Sequence, residues 1–126
     1  MIVKMFKPQF AGLVGRGEKL QTIRPTPKRL PKIGDEVSLR TWIGKPYRSK
    51  QRIIGTGIID GVHEVEIHSE SLIFDGRRVG SGMREAFAKA DGFENWPAMV
   101  DWFRSTHDLP FEGIAIFWKL SNPTNQ

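Results

Sequence analysis

Three observations in the sequence predict an α+β domain, a small mixed β-barrel with flanking helices. Short apolar segments with strand-like alternation recur from residue 2 to residue 68 and again at 113–120. Glycines interrupt several of them, as expected of strands that bend around a barrel. Between residues 81 and 103, two segments instead carry apolar residues at helical spacing. Because the chain has 126 residues, 39% of them hydrophobic, we expect one domain with a sizeable core.

The first quarter of the chain predicts a strand, a helix and an extended segment. Ile2–Phe6 alternates apolar and other residues, and Pro8–Val14 fits one or two helical turns. Leu20–Arg24 is predicted to be extended, because Pro25 biases the residue before it away from helix. Thr26–Lys32 is then a basic, proline-rich loop.

The middle of the chain predicts further strands and one exposed loop. Gly34-Asp35 opens a strand through Trp42, and the basic segment Gly44–Arg52 is predicted as a loop. Three more strand regions follow, namely Ile53–Asp60 with two glycines, Val62–His68, and Leu72–Val79. Within the last of these, Asp75-Gly76 is a strong hairpin signal.

Two helices and a final strand complete the predicted domain. The first helix has Ser81 as N-cap, Gly92 as stop and an apolar face of Met83, Ala86, Phe87 and Ala90. The second has Asn95 as N-cap, Pro97 in its first turn and an apolar face of Trp96, Met99, Val100 and Phe103. Gly113–Leu120 closes the domain at 1–120, and 121–126 is predicted to be a flexible C-terminal tail.

Composition excludes several classes of protein. The chain has no cysteine, which excludes a disulfide scaffold and thiolate ligands for zinc. His63, His68 and His107 lack metal-ligand spacing, and the sequence has neither a P-loop nor a serine elbow. We therefore expect no metal and no cofactor. No apolar run reaches the roughly 18 residues of a membrane span, so a cytoplasmic monomer with no membrane partner is predicted.

Charge is distributed unevenly along the chain. Residues 1–56 contain 13 Lys and Arg against three acidic residues, whereas residues 57–126 contain six against 11. A basic half of this kind favours an anionic partner, because basic side chains attract phosphates and release their counterions. Nucleic acid or a nucleotide is the natural candidate, and a well-solvated surface is the alternative.

One short motif carries polar groups that can do chemistry. In the extended segment, Thr22 and Arg24 point the same way, and Lys19 can fold over that face from the bend after Gly17. Such a group can hold an anion or a carbonyl oxygen. A desolvated Lys19 beside Arg24 would have a lowered pKa and could take a proton from Thr22. The same spacing also fits a strand with two solvated basic residues.

The ordered set of motifs resembles the ASCH domains, relatives of the RNA-binding PUA fold. Gly17–Arg24 resembles their Gly-x-Lys-x-x-Thr-x-Arg signature, and Pro31–Val37 contains their Gly-Asp before a strand. The resemblance continues through Ala90–Phe93, the helix through Phe103 and the closing Phe117-Trp118, and so covers nearly the whole chain. It implies a PUA-like β-barrel with helices around a cleft that the signature residues line.

Some ASCH proteins are small amidohydrolases that remove the acetyl group of N4-acetylcytidine. The resemblance implies that Lys19 is the general base, Thr22 the nucleophile and Arg24 the residue that binds substrate or the oxyanion. Asp91 stands where those enzymes use Glu, one methylene longer, and it would protonate the leaving nitrogen or orient Lys19. Asp91 could equally be a residue near a helix end, with Glu85 and Glu94 as other candidates for the acid.

A binding module for single-stranded RNA is the second hypothesis. Backbone contacts and base stacking are predicted for a basic and aromatic set, namely Arg40, Trp42, Lys45, Tyr47, Arg48, Lys50 and Arg52. A free nucleoside does not need so extended a basic surface. A ribonuclease is a third interpretation, which has no support beyond the basic cleft.

Overall fold

The computed structural model describes residues 1–121 as seven strands and three helices. In chain order they are β1 (Ile2–Phe6), α1 (Pro8–Gly15), β2 (Gln21–Pro25), β3 (Glu36–Trp42), β4 (Gln51–Ile67), β5 (Leu72–Phe74), β6 (Arg77–Arg78), α2 (Ser81–Ala90), α3 (Trp96–His107) and β7 (Phe111–Leu120). No helix within the described part is long and apolar enough to cross a membrane. The predicted tail lies outside the described residues except for Ser121, whose N–H donates to the carbonyl of Thr56 at 3.0 Å.

All seven strands belong to one curled sheet that forms half of a barrel. Its main path runs β1-β3-β4-β5-β6, while β7 pairs with both β4 and β2. The β1–β3 pair is parallel and the other pairs are antiparallel. No strand ladder joins β1 to β2. Instead, the Arg24 guanidinium on β2 donates to the carbonyl of Met5 on β1 at 2.7 Å. A mixed α+β fold with helices beside a curled sheet is thus confirmed.

One prediction about the strands was wrong. The regions predicted as two strands, 53–60 and 62–68, belong, except for His68, to a single strand of 17 residues, β4, which also includes Gln51 and Arg52 from the predicted loop. The register shifts opposite β3 between Leu39 and Arg40, and opposite β7 between Ile59 and Gly61. Such bulges bend a strand while its ladder continues on either side, so the glycines do not end it. A Cβ at Gly57 would lie 2.6 Å from the carbonyl oxygen of Lys119, which explains a glycine there.

The predicted hairpin is confirmed at β5 and β6. Asp75 and Gly76 have φ values of 50° and 81°. Positive φ at both central residues is the backbone of a type I′ turn, whose twist matches that of paired strands.

The two longer helices differ in how well the sequence predicted them. In α3, Asn95 is the N-cap and its side chain accepts from the N–H of Ala98, as predicted. In α2, the N-cap position is Gly80, so Ser81 as N-cap was wrong. Of the predicted face, Phe87 packs against the core, but Met83, Ala86 and Ala90 are exposed, and Ala88 is the buried residue.

Contacts with α3 explain the orientation of α2. The guanidinium of Arg84 lies 5.2 Å from the Trp96 ring, and the Glu85 carboxylate accepts from the Trp96 N–H at 2.9 Å. These contacts turn one side of α2 towards α3 and leave Met83 outside. They come from tertiary neighbours and leave no trace in the apolar spacing of α2.

Two apolar clusters fill the molecule and meet at one place. The first packs α2 and α3 against the sheet and includes Met99, Phe103 and Phe111. The second lies inside the half-barrel against α1 and includes Ile116 and Trp118 of β7. Ile114, Ile116 and Trp118 are all buried and Leu120 packs beside them, so these alternate residues form one inward face of β7. Phe93 and Trp102 pack against both clusters, and the cavity described next opens beside them.

Candidate active site

A cavity of about 390 Å³ opens where the half-barrel fails to close between β1 and β2. Its lining comes from the ends of β1 and β3, the start of α1, the strand β2 with the residue Lys19 before it, the loop between β3 and β4, the connection between α2 and α3, and the helix α3. Eight aromatic side chains contribute to its wall, namely Phe6, Phe10, Trp42, Tyr47, Phe93, Trp102, Phe103 and His107. Its charged groups are Lys7, Lys19, Arg24 and Asp91. An aromatic wall with a few polar groups is typical of a small-molecule site.

Local backbone structure directs Lys19 into this cavity. Gly17 has a φ of 75°, and this left-handed residue turns the chain out of α1. The N–H of Lys19 then donates to the carbonyl of Leu13 at 3.1 Å, which fixes the approach to β2. The Lys19 side chain is almost fully buried, and its amine lies 5.0 Å from the Phe10 ring.

The partner of this amine is Asp91, 72 residues further along the chain. Lys19 Nζ lies 3.2 Å from Asp91 Oδ1 and also donates to the Asp91 carbonyl oxygen. Gln21 Nε2 donates to the same Oδ1 at 3.2 Å. Asp91 is the C-cap residue of α2, so it lies at a helix end and in the cavity at once. Gly92 at φ 100° makes the turn that follows.

The two other candidates for the acid lie elsewhere. Glu85 accepts from the Trp96 N–H and so caps the start of α3. Glu94 is exposed, and neither residue lines the cavity. Among the three carboxylates considered, Asp91 alone is brought to Lys19.

Burial shifts both members of the pair towards their neutral forms. It lowers the pKa of Lys19, and Arg24 lowers it further, while Asp91 acts in the opposite direction. Burial likewise raises the pKa of Asp91, against the opposing effects of Lys19 and Gln21. In this site, the transfer of a proton from the ammonium to the carboxylate costs less free energy than it does in water.

Thr22 and Arg24 lie together on one face of β2, as the strand alternation predicted. Arg24 Nε donates to Thr22 Oγ1 at 3.1 Å, and the guanidinium lies 5.2 Å from the Phe6 ring. Partial burial lowers the pKa of Arg24, and Asp91 opposes that effect. Thr22 is buried and lines the cavity with Lys19. Among the hydrogen bonds of the described residues, none joins the Lys19 and Thr22 side chains.

The residues predicted to bind nucleic acid are divided between the cavity mouth and its surroundings. Trp42 and Tyr47 line the cavity, with their ring centroids 5.2 Å apart. Tyr47 is 89% exposed and has a φ of 62°. Three basic residues of the set lie exposed in the β3–β4 loop, residues 43–50, namely Lys45, Arg48 and Lys50.

The other two basic residues of that set lie on strands, and none of the five basic residues lines the cavity itself. Arg52 is exposed on β4. Arg40 is half-buried on β3 and donates to Ser38 Oγ and Gln51 Oε1, each at 2.9 Å. Neither residue lines the cavity.

Among the polar residues that line the cavity or contact its buried pair, Lys7, Gln21, Thr41 and His107 were not predicted from the sequence. Gln21 lies inside the Lys19-x-x-Thr22 motif, so its position was a usable signal. His107 was also within reach, because the apolar spacing of α3 continues from Phe103 to His107 one turn later. Lys7 had no signal, since only the turn from β1 into α1 brings it to the cavity rim.

The histidines make no metal site within the described chain. His63 Nδ1 lies 2.7 Å from Asp75 Oδ2, and His68 Nε2 lies 3.1 Å from Glu66 Oε1. Residues 1–121 contain no group of three or more His, Asp or Glu side chains that could hold a metal ion.

Comparison of the chain with models of protein families, with curated proteins and with solved structures gives no match. The function is therefore inferred from the residues of the cavity. It brings together a desolvated amine, a carboxylate, a hydroxyl and a guanidinium, with aromatic rings around them. That combination can bind a planar polar ligand and move protons beside it.

Proposed function

We propose that this chain is a cytoplasmic ASCH-domain protein of the PUA-like fold that hydrolyses the amide of N4-acetylcytidine. The observation that carries the proposal is the buried Lys19–Asp91 pair in the same cavity as Thr22 and Arg24. The sequence motif supplies Lys19, Thr22 and Arg24, and the chain brings a carboxylate to them from far away. These are the groups that the resemblance implies for the reaction.

The placement of the pair favours chemistry over a purely structural role. A buried ion pair contributes little net stability, because desolvation of both charges offsets their attraction. This pair lies in the wall of a cavity, where a ligand can reach it. Perturbed titratable groups in a cavity are the common mark of an active site.

The cavity also suits a nucleoside in size and composition. Its volume of about 390 Å³ lies within the range of small-molecule sites. Its aromatic rings offer faces for a pyrimidine base. The Lys19 amine and the Thr22 hydroxyl line the same cavity and supply the base and the nucleophile of the proposed reaction.

The proposed reaction has two halves. Lys19, as the free amine, takes the proton of Thr22, whose Oγ1 attacks the acetyl carbonyl carbon. The bond between the acetyl carbonyl carbon and N4 breaks, and the proton passes from Lys19 to N4. Cytidine departs, and the acetyl group remains on Thr22 as an ester. Water then hydrolyses that ester, which releases acetate and restores the hydroxyl. Lys19 and Thr22 need come into hydrogen-bond contact only when substrate is bound, since such contacts are often longer in the free enzyme.

Asp91 and Arg24 support these steps. Asp91 orients the amine through its carboxylate and its own carbonyl oxygen. The shorter side chain, where the amidohydrolases use Glu, does not prevent this contact. Arg24 already donates to Thr22 Oγ1, so its charge lies beside the position where the oxyanion develops.

A non-catalytic module for single-stranded RNA is the second candidate. It is favoured by one observation, the exposed Tyr47 beside Trp42 at the cavity mouth, with basic residues around it. An exposed ring of this kind stacks on an unpaired base, and basic neighbours hold the backbone. On this alternative, the cavity accepts one base and the buried pair recognises it without reaction.

The two candidates are separated by a turnover assay. Purified protein is incubated with N4-acetylcytidine, and cytidine release is measured for the wild type, Lys19→Ala and Lys119→Ala. Lys119 is exposed on β7 and lies outside the cavity, so its variant controls for the loss of one positive charge. We expect Lys19→Ala to lose about 10²–10⁴-fold in rate and Lys119→Ala to match the wild type. No turnover by the folded wild type would reject hydrolysis and leave the binding module.

A further inference from the structure

The cavity has more positive charge than its chemistry needs. Lys7, Lys19 and Arg24 line it with a single carboxylate, Asp91. Asp91 is paired with Lys19 at 3.2 Å. Within residues 1–121, neither Lys7 nor Arg24 has a carboxylate oxygen within 4.0 Å. Two positive charges of the lining are therefore uncompensated.

The hydrogen bonds of Arg24 leave one end of its guanidinium available. Nε donates to Thr22 Oγ1 and Nη2 donates to the carbonyl of Met5. Nη1 has no acceptor among the described residues. Met5 lies two residues before Lys7, so the bond to Met5 holds the guanidinium near the rim to which Lys7 belongs.

Lys7 is placed at the opening of the cavity. Its side chain is exposed, and its amine lies 5.2 Å from the centroid of the Trp102 ring. Trp102 is one of the rings that line the cavity. A ligand whose base lies among these rings would therefore extend its outer end past Lys7.

A third cation adds to the positive potential along the gap between β1 and β2. Lys4 is half-buried on β1, and it too has no carboxylate oxygen within 4.0 Å in the described part of the chain. Burial lowers the pKa of Lys4, and the nearby charge of Arg24 lowers it further. Partly desolvated cations without an acidic partner cost free energy, and a bound anion offsets that cost.

We propose that the ligand of this cavity carries a phosphate group, which Lys7 binds at the rim and which the free end of Arg24 attracts from within. Two uncompensated cations match the charge of a phosphate monoester, and Lys and Arg are the usual phosphate donors. The inference rests on the proposed function for the cytidine base. The phosphate contact itself does not depend on hydrolysis. The phosphate could be the monoester of a nucleotide or a diester within RNA.

Calorimetric titration separates the two sources. The probes are cytidine, cytidine 5′-monophosphate and the dinucleotide cytidylyl-cytidine, each titrated into the whole chain at low and at high NaCl. We expect at least one phosphate-bearing probe to bind about tenfold more tightly than cytidine at low salt. A gain for the monophosphate identifies a nucleotide, and a gain for the dinucleotide alone identifies a backbone diester. The gain should shrink at high salt, because Lys7 is exposed.

Charge variants at the rim test whether Lys7 makes the contact. The measured quantity is the affinity for the phosphate probe divided by the affinity for cytidine. Lys7→Gln should reduce this ratio to about a third of its wild-type value or less, and Lys7→Glu should reduce it further. Lys119→Gln removes the same charge at an exposed position outside the cavity lining, and it should keep the wild-type ratio. Equal affinity of all three probes, or a ratio that Lys7→Glu does not change, would overturn the inference. If the phosphate inference failed in this way and the protein still hydrolysed N4-acetylcytidine, the proposed function would stand.

Discussion

Two regions of this molecule carry cationic side chains at the same opening, and they differ in burial. Lys19 is 2% exposed and pairs with Asp91 inside the cavity. Lys45, Arg48 and Lys50 are exposed in the β3–β4 loop at the mouth. In the sequence both regions are simply basic. Burial changes the protonation equilibrium of Lys19 and Asp91. The loop cations stay hydrated, so their attraction for an anion is weakened by salt.

The difference in burial determines what each region can contribute. A desolvated amine held at one position can act as a base towards one atom of a ligand. An exposed, hydrated basic loop can increase affinity for any phosphate backbone without selecting a base. Substitutions in the two regions should therefore differ in kind, and their effects should decrease from the buried pair to the loop.

The largest effect on stability is expected from breaking the buried pair. Asp91→Asn leaves the Lys19 charge without its partner and should cost about 3–5 kcal/mol of unfolding free energy. Lys19→Met combined with Asp91→Asn removes both charges and should recover most of that loss. Denaturant titration with far-UV circular dichroism measures the cycle.

The matched control for that cycle is Asp101→Asn. Asp101 pairs with Arg104 at 3.1 Å on the surface of α3, with its side chain 76% exposed. Its loss should cost within about 0.5 kcal/mol. If Asp91→Asn were as mild as Asp101→Asn, the pair would not hold a buried charge, and the contrast between the two regions would fail.

The pH dependence of turnover should report the buried amine. The free amine is the active form, so kcat/KM for N4-acetylcytidine rises with pH as Lys19 loses its proton. Because burial lowers the pKa of Lys19, the midpoint of that rise should lie below the ordinary value of 10.5. Asp91 raises the same pKa, so Asp91→Asn should move the midpoint to lower pH in the fraction that remains folded. A midpoint at or above 10.5 would contradict a desolvated base.

The free energy of unfolding should also depend on pH through the lowered pKa of Lys19. The pKa of Lys19 is lower in the folded protein than in the unfolded chain, so the unfolded chain binds more protons between the two values. The wild type should therefore gain stability relative to Lys19→Met as the pH rises through that window towards 10.5. Denaturant midpoints of the two proteins at a series of pH values measure the difference.

The smallest effects are expected in the loop. Tyr47→Ala should weaken binding of a short single-stranded cytidine oligonucleotide by about 1–3 kcal/mol through lost stacking. Lys45→Gln with Arg48→Gln should lower the slope of log affinity against log salt by about 0.7 for each contact removed. Fluorescence anisotropy at several NaCl concentrations gives both quantities, with Lys119→Gln as control. An unchanged slope would show that the loop does not contact the backbone.

Local features of the fold could be predicted because their causes are local. The caps and apolar spacing of α3 lie within one segment, as does the Asp75-Gly76 turn. The orientation of α2 could not be predicted, because it depends on contacts of Arg84 and Glu85 with Trp96. The continuity of β4 could not be predicted either, since glycine marks a bend and a break alike.

The candidate site divides in the same way. Thr22 and Arg24 are joined by strand alternation, and this part followed from the residues themselves. Asp91 lies 72 residues from Lys19 in sequence, and only the resemblance to ASCH domains suggested their contact. Lys7 reaches the rim through the turn after β1, which no spacing in the sequence encodes.

Chemical rescue of Lys19→Ala tests whether the buried lysine is the base of the proposed reaction. The variant removes the amine and leaves space beside Asp91, so a small alkylamine added to the assay can take its place. We predict that Lys19→Ala hydrolyses N4-acetylcytidine at most at about a hundredth of the wild-type rate, and that added methylamine restores turnover in proportion to its unprotonated fraction. Wild-type turnover by Lys19→Ala without any added amine would contradict the claim that the buried lysine is the base.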